Sequence, residues 1–254
     1  MGLREKILFP IVFAGTMALG SGCADKPSNV LVKAQVGKVC RILEIPGNEA
    51  EEVKLGKYVY IAKTRTGEDL NEDGILQKNE PSANYMHPFY GRNHPNYKIY
   101  LNYKPQEDTI ISTRLNGKKN VLTVIDSIET GETIRIIPSI ENDRKNASVI
   151  LQIEGEEGQI KIPISSDIAR LYKKGDWVEL ANIRTYGDAN NDQKENEGEK
   201  PCFLDDKKII NGPAKEGDIW AIIFNQYDND NVNKITHIKN IKVAEVVEVN
   251  LPKQ

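Results

Sequence analysis

The amino-acid sequence predicts a mostly β protein made of two tandem small β-barrel or sandwich modules, with long loops and little helix. Runs rich in Val, Ile, Thr and Tyr recur along the chain and are separated by Gly, Asn and Pro, as expected of strands joined by turns. One pair of runs flanks Asn116-Gly117, two residues that tolerate the positive φ of a tight hairpin turn. A third observation is that residues 56–80 and 175–199 align without a gap at an offset of 119.

The strand predictions follow from these runs in chain order. They cover residues 36–45, 57–64, 98–104, 109–115, 118–126, 132–140, 148–155, 159–164, 176–183, 218–224 and 241–249. The clearest helical segment is 165–175, where Ser165 or Ser166 would cap a short turn that ends at Gly175.

The two aligned segments indicate an internal duplication. They share Gly, Val, Ala, Arg-Thr, an Asp-x-Asn-x-Asp core and a final Glu, and a proline follows each, at Pro81 and Pro201. Another strand pattern begins at the same distance past each proline. The simplest interpretation is a β-module of about 100 residues that is present twice, at 30–128 and at 145–250. Chance similarity of two strand-and-loop segments is the alternative.

The N-terminal segment, 1–22, is typical of a secretory signal. Arg4 and Lys6 precede an apolar run of about 13 residues (7–19), and small residues follow up to Cys23. The apolar run is shorter than the roughly 20 residues that favour a membrane-spanning helix. Residues 1–22 are therefore predicted to be a signal peptide.

The sequence Gly-Ser-Gly before Cys23 resembles the lipobox of prokaryotic lipoproteins, in which the cysteine is acylated and becomes the new first residue. The resemblance implies lipidation of Cys23 and a membrane partner, with residues 23–29 as a tether to the first strand. Plain cleavage and a retained membrane anchor stay open as alternatives. All three predict an extracytoplasmic protein, and lipidation places it at the cell envelope or surface.

Composition and charge fit a soluble globular protein, with 28% charged and 7% aromatic residues. Removal of residues 1–22, which carry Arg4, Lys6 and Glu5, changes the net charge from −3 to −4. A charge this mild does not argue for nucleic acid or anionic lipid as a partner. The remaining chain, 23–254, is long enough for one large domain or two small ones.

Cys40 and Cys202 are the cysteines that remain once Cys23 is assigned to the anchor. An oxidising compartment permits them to pair, but their wide separation along the chain gives no pairing information. A disulfide and two buried thiols therefore both stay open. The spacing is not that of a zinc site.

Residues 69–80, DLNEDGILQKNE, have the ligand spacing of a calcium-binding loop. Oxygen donors fall at the first, third, fifth, seventh and twelfth places, the seventh through its backbone carbonyl: Asp69, Asn71, Asp73, Ile75 and Glu80. Calcium takes six to eight oxygen ligands, and a distal glutamate supplies two of them. Gly74 stands at the sixth place, where a sharp turn needs a positive φ.

This loop resembles the EF-hand loop at every diagnostic place. Its flanks carry no helical apolar stripe, and Pro81 follows the closing glutamate directly. The segment is therefore more similar to the EF-hand-type loops of dockerins and extracellular β-proteins. The resemblance implies Ca²⁺ as the bound ion, and an acidic turn without an ion is the alternative.

The second copy, residues 188–199, keeps the same alternation of donors. The implied ligands are Asp188, Asn190, Asp192, the carbonyl of Lys194, and Glu199. Gln193 replaces the glycine, and Glu195 replaces the apolar eighth residue. Recurrence in a duplicated module favours calcium binding at this loop, whereas the missing glycine argues against it.

Two other segments have functional interpretations. Residues 228–239 are acidic but lack a fifth-place ligand, which favours a polar hairpin turn, and ion binding there stays open. The Tyr-rich segment 85–103 offers flat apolar faces with polar tips, which suit a cell-surface glycan or a protein partner. Packing of an irregular loop is the alternative for this segment.

No catalytic motif stands out: the chain has no G-x-S-x-G, P-loop, dinucleotide fingerprint or H-E-x-x-H. The sequence therefore predicts a non-enzymatic, lipid-anchored calcium-binding protein, in which calcium orders the loops of a surface binding or structural module. A carbohydrate- or protein-binding module that uses residues 85–103 is one alternative. A hydrolase with structural calcium is another.

Cys23→Ala removes the thiol that would carry the lipid. We expect the variant to leave the membrane fraction or to remain as the uncleaved precursor. Membrane fractionation, detergent partitioning and the mass of the isolated chain measure this outcome. Unchanged partitioning together with an unchanged mass would contradict the lipoprotein prediction.

Overall fold

The structure is a computed structural model that describes residues 28–69, 71–75, 97–115, 119–139, 146–190, 196, 198–199, 206–223 and 233–252. The predicted signal peptide, Cys23 and most of the tether lie outside these residues. The described part is mostly β, as the sequence predicts.

Two antiparallel sheets of six strands each account for the fold. The first contains β1 (Val30–Val36), β2 (Val39–Ile45), β3 (Tyr58–Glu68), β4 (Tyr97–Tyr100), β5 (Ile110–Leu115) and β6 (Lys119–Pro138). The second contains β7 (Asn146–Ile153), β8 (Gln159–Ser165), β9 (Trp177–Asp188), β10 (Asp206–Ile210), β11 (Ile219–Ile223) and β12 (Asn233–Asn250). A 3₁₀ turn (Ala50–Glu52) and helix α1 (Ser166–Ala169) are the helical elements of the described residues.

The two sheets have the same topology. The first has the order β2-β1-β6-β3-β4, with β5 paired to β6, and the second has the order β8-β7-β12-β9-β10, with β11 paired to β12. Each strand of the first sheet therefore corresponds to the strand six places later. Over the described strands, neither sheet closes into a barrel.

The correspondence extends to irregularities in the strands. The register between β3 and β6 shifts between Lys63 and Thr64, and the register between β9 and β12 shifts between the equivalent Asn182 and Ile183. A bulge is a local backbone feature that bends and twists a strand. Its recurrence at the same place supports duplication of a whole module, while the module limits at 30–128 and 145–250 stay predictions.

Some strand boundaries differ from the sequence prediction. The predicted strand 36–45 is interrupted by the hairpin turn between β1 and β2, where Gly37 has φ +54°. The predicted segments 118–126 and 132–140 form one strand, β6, which pairs with β3 along most of its length and with β1 near its end. Pairing with β3 runs through Gly131 to Glu132, where pairing with β1 begins, so the strand continues through the turn-like sequence around Gly131.

The predicted helix at 165–175 is shorter in the structure. Helix α1 ends at Ala169 and is followed by two further turns, with Gly175 at φ +89°. Ser165 occupies the N-cap, but its side chain makes no capping hydrogen bond. The weak cap and the short apolar stripe explain why the helix does not extend.

The largest apolar cluster joins the two sheets. Leu31 and Ile42 of the first sheet pack in the same cluster as Leu151, Val178 and Val246 of the second. All five side chains are at most 4% exposed. Burial of this shared apolar surface favours a close association of the sheets.

Two buried cations cross between the sheets. Arg41 on β2 donates to Glu129 of β6 at 2.9 and 3.0 Å, and its Nη2 lies 2.8 Å from Glu179 Oε2 of β9. Lys33 on β1 pairs with Asp176, which precedes β9. Loss of one partner would leave an uncompensated buried charge, so these pairs specify how the sheets meet.

A close approach between β4 and the segment after β10 completes the contact. A Cβ atom built on Gly212 would lie 2.8 Å from Cγ of the Tyr97 ring. Beside it, the backbone N–H of Ile42 donates to Asn211 Oδ1 at 3.3 Å. Only a glycine lets the backbone come this close to the ring.

Gly212→Ala adds a methyl group against Tyr97. Overpacking of this kind costs about 1–3 kcal/mol, so we expect a lower melting temperature. Thermal unfolding of Gly212→Ala, Tyr97→Ala and the double variant measures the effect. Removal of the ring should relieve most of the cost of the methyl group, giving strongly non-additive changes. Additive changes, or a wild-type melt for Gly212→Ala, would show that this contact does not constrain the two sheets.

Candidate metal centre

The two predicted calcium loops begin at equivalent places in the two sheets. Asp69 follows the last residue of β3, and Asp188 is the last residue of β9. Asp69 is 7% exposed and Asp188 is 2% exposed, which is unusual for aspartate. Each loop therefore starts from a carboxylate that is buried at the end of a long, doubly paired strand.

The first loop winds around its own side-chain oxygens. Asp69 Oδ2 accepts a hydrogen bond from the backbone N–H of Gly74 at 3.0 Å. Asn71 Oδ1 accepts from the N–H of Asp73 at 3.2 Å, and Asp73 Oδ1 accepts from the N–H of Ile75 at 2.8 Å. The first, third and fifth residues of the predicted loop thus fold back onto it, as a tightly wound ligand loop requires.

The backbone of this loop has the conformation that the glycine predicts. Gly74 has φ +73°, a region that costs glycine little and other residues more. Glu72 also has a positive φ, at +57°. These two residues produce the sharp turn that brings Gly74 back to the Asp69 carboxylate.

One oxygen of Asp69 has no hydrogen-bond donor in the described part of the chain. Oδ1 is fully buried, and no donor among the described residues makes a hydrogen bond to it. A buried carboxylate with an unpaired oxygen is costly, because the protein replaces none of the water that it loses. A cation at Oδ1 would remove this cost.

The second loop is closed by its last predicted ligand. Glu199 Oε1 accepts from the backbone N–H of Ala189 at 3.1 Å, and Oε2 accepts from the N–H of Asn196 at 2.8 Å. The twelfth residue of the loop therefore reaches back to the residue after Asp188. Asn190, at the third place, is exposed.

The remaining predicted ligands Glu80, Asp192 and Lys194 lie outside the described residues. Within the described ranges, no group of three or more His, Cys, Asp or Glu side chains is arranged to hold a metal. The structure thus brings Asp69, Asn71, Asp73 and Ile75 into one loop, and it places Glu199 at the start of the other.

The Tyr-rich segment joins tyrosines that the sequence analysis did not include. Of residues 85–103, the structure describes Tyr97 to Tyr103, and the rings of Tyr100 and Tyr103 meet edge-on with centroids 5.3 Å apart. Tyr60 on β3 pairs with Tyr100 across the sheet, and Tyr58 lies on the same face of β3. Tyr58 is 57% exposed and Tyr103 is 62% exposed. The alternation in Tyr58-Val59-Tyr60 was the signal for this face.

Cys40 is a buried free thiol in the structure, and burial raises its pKa above the usual value. Its predicted alternative partner Cys202 lies outside the described residues, as do residues 228–232, whereas residues 233–239 belong to β12. No helix in the described part of the chain is long and apolar enough to cross a membrane.

No family model, curated protein or solved structure matches the chain. The case for a function therefore comes from the residues of this chain.

Asp69→Asn keeps the shape of the side chain and removes its buried charge. In the presence of a chelator we expect this variant to be more stable than the wild type by on the order of 1 kcal/mol, or roughly 2–4 °C in melting temperature. Asp73→Asn is the matched control, because Asp73 is exposed and both of its oxygens accept hydrogen bonds. A lower melting temperature for Asp69→Asn in chelator would show that burial of the unpaired Oδ1 of Asp69 does not destabilise the protein.

Proposed function

We propose that the protein is an extracytoplasmic, lipid-anchored calcium-binding protein, in which calcium orders the loops of a surface binding or structural module. The observation that carries this proposal is the Asp69 carboxylate, which is buried at the start of the loop, accepts from the N–H of Gly74 at 3.0 Å and has no donor to Oδ1 among the described residues. Calcium prefers carboxylate and carbonyl oxygens, and this loop offers both types.

The ligand set at the first loop is the one implied by its resemblance to EF-hand-type loops. Asp69, Asn71 and Asp73 would supply side-chain oxygens, Ile75 its carbonyl oxygen, and Glu80 a carboxylate. A bound cation would offset the repulsion among these carboxylates. Without it, the burial of Asp69 has no compensating charge among the described residues.

The second loop supports the same proposal through its position. Asp188 stands where Asp69 stands in the first module, and Glu199 closes the loop onto Ala189. Asn190, Asp192 and the carbonyl of Lys194 would complete the ligands. A ligand loop retained in both copies of a module fits a shared structural role.

The placement of the loops suggests what calcium would stabilise. The loop after β3 begins where β3 pairs with the first residues of β6, since Glu68 lies opposite Val121. In the second sheet, Asp188 lies opposite Asn233 at the start of β12. An ion at either loop would therefore hold a long connection against the end of the central strand pair.

A second candidate function is recognition of a cell-surface glycan or a protein. The observation in its favour is the tyrosine face formed by Tyr58, Tyr60, Tyr100 and Tyr103, two of whose rings are more than half exposed. Flat aromatic rings with polar tips suit sugar rings and protein surfaces. This role is compatible with calcium binding, because the face and the first loop both belong to the first sheet.

Calcium titration of the melting temperature tests the leading proposal. At a hundredfold excess over Kd, one site that binds only the folded state adds about 2.7 kcal/mol, or roughly 5–10 °C for a chain of this size. We expect Asp69→Ala to lose more of this shift than Asp188→Ala. Gly74 adopts φ +73° freely, whereas Gln193 at the same place would cost about 1 kcal/mol, or about fivefold in affinity.

Calorimetry on the same two variants gives the affinities directly. Magnesium at matched ionic strength controls for general screening of the acidic residues. An identical melt with calcium and with chelator would contradict a structural role for the ion. Loss of the tighter binding phase in Asp188→Ala alone would show that the second loop, not the first, has the higher calcium affinity.

A further inference from the structure

A cavity of about 460 Å³ lies where the two sheets meet α1. Its walls come from the end of β6 in the first sheet, and from α1 and the end of β12 in the second. The apolar part of the lining includes Ile137, Pro138, Val249 and Leu251. Leu251 is 49% exposed, so the apolar lining continues to the surface.

The charged part of the lining is entirely basic. Arg135 and Arg170 both line the cavity, and no acidic residue does so among the described residues. Arg135 is exposed and makes no ion pair with any described carboxylate, in contrast to Arg41, which lies between two glutamates. Lys173 and Lys174, both exposed, follow directly after the segment that contributes Arg170.

The duplicated module shows that these charges are specific to this place. By the register with β1 and β7, the position of Arg135 in the first module is held by Glu248 in the second. By the matching turns before β3 and β9, the position of Arg170 is held by Glu51 in the first module. Both arginines therefore stand where the other module has a glutamate, and both line the same cavity.

The chain begins its fold beside this cavity. The backbone N–H of Ser139 donates to the carbonyl of Asn29 at 2.8 Å, which holds the start of the described chain next to Pro138. Only a short tether separates Cys23 from Ser28. Even fully extended it spans only about 17 Å, so an acyl group on Cys23 would keep the cavity close to the membrane surface.

We propose that this cavity binds the anionic head group of a membrane phospholipid. The guanidinium groups of Arg135 and Arg170 match the oxygens of a phosphate, which arginine binds through paired N–H donors. The apolar wall formed by Ile137, Val249 and Leu251 accommodates the carbon chain next to the phosphate. The orientation towards the membrane rests on the proposed anchor at Cys23.

The net charge of the chain does not reveal such a site. Attraction to an anionic membrane acts within a Debye length, about 8 Å at physiological salt, so the local charge near the surface decides the interaction. The cavity is lined by two arginines, and two exposed lysines follow its lining segment in the sequence, although the chain as a whole is acidic.

Vesicle co-sedimentation with a chain that has no lipid tests the proposal. The probe protein is residues 23–254 with Cys23→Ser, which retains the described apolar core because its clusters begin at Val30. The vesicles contain phosphatidylcholine alone or phosphatidylcholine mixed with phosphatidylglycerol, in buffer with chelator. We expect binding to the mixed vesicles only, and we expect it to weaken as salt is added.

Arg135→Gln and Arg170→Gln should each weaken this partitioning about fivefold, which corresponds to about 1 kcal/mol per basic residue. Arg65→Gln is the control for overall charge, because Arg65 is an exposed arginine near the other end of β6, opposite Val124 and paired with Asp126. It should bind as the parent protein does. Thermal melts of all variants establish that they fold.

Equal binding to both vesicle types would overturn the proposal. Equal weakening by Arg65→Gln would also overturn it, because the interaction would then depend on overall charge rather than on this cavity. The assay contains neither a lipid anchor nor calcium, so its failure leaves both parts of the proposed function intact. Conversely, an unmodified Cys23 or a calcium-independent melt leaves the vesicle result unchanged.

Discussion

Arg41 is 1% exposed, and its guanidinium lies between carboxylates of both sheets: Glu129 on β6 and Glu179 on β9. Its Nη1 also donates to the carbonyl of Ile210 at 3.2 Å. Burial of such a cation is favourable only while all its partners are in place. If the two sheets separated, the charge would be exposed to solvent or left buried without a partner. The shared apolar cluster supplies attraction without direction, whereas Arg41 fixes one relative arrangement. The cavity at α1, whose walls come from both sheets, exists only in that arrangement.

The second constraint is the length of the central strands. β6 has 20 residues and β12 has 18, and each pairs with its neighbours from one end to the other. Each strand therefore runs from an end that adjoins a candidate calcium loop to an end that lines the cavity. The start of β6 supports the loop that begins at Asp69, and its end contributes Ile137 and Pro138 to the cavity. The same arrangement of ends recurs in the second sheet, where Asn233 at the start of β12 lies opposite Asp188 and Val249 near its end lines the cavity.

Local sequence patterns predicted the β class and the position of both loops after a strand, because strand periodicity and ligand spacing depend only on residues that are close together in the sequence. They did not predict the contacts between sheets. Lys33 and Asp176 are 143 residues apart, and nothing near either residue indicates the other. The same is true of Arg135 and Arg170, which line one cavity only because the two sheets come together. The single strand β6 was predicted as two, because its turn-like residues do not reveal that β3 pairs with them and that β1 takes over at Glu132.

The positions of Asn29, the cavity and the loops give the two proposals a common geometry. Asn29 and the cavity lie at the end of β6, and Leu251 lies just past the end of β12, whereas the candidate calcium loops lie at the starts of these two strands. A strand of 20 residues has a contour length of about 65 Å, so the two kinds of site are far apart along the backbone. A protein held by Cys23, with its basic cavity against the lipid, would thus present both loops at the opposite ends of its central strands. Calcium there would order the part of the surface that is directed away from the membrane, where a partner outside the cell has access.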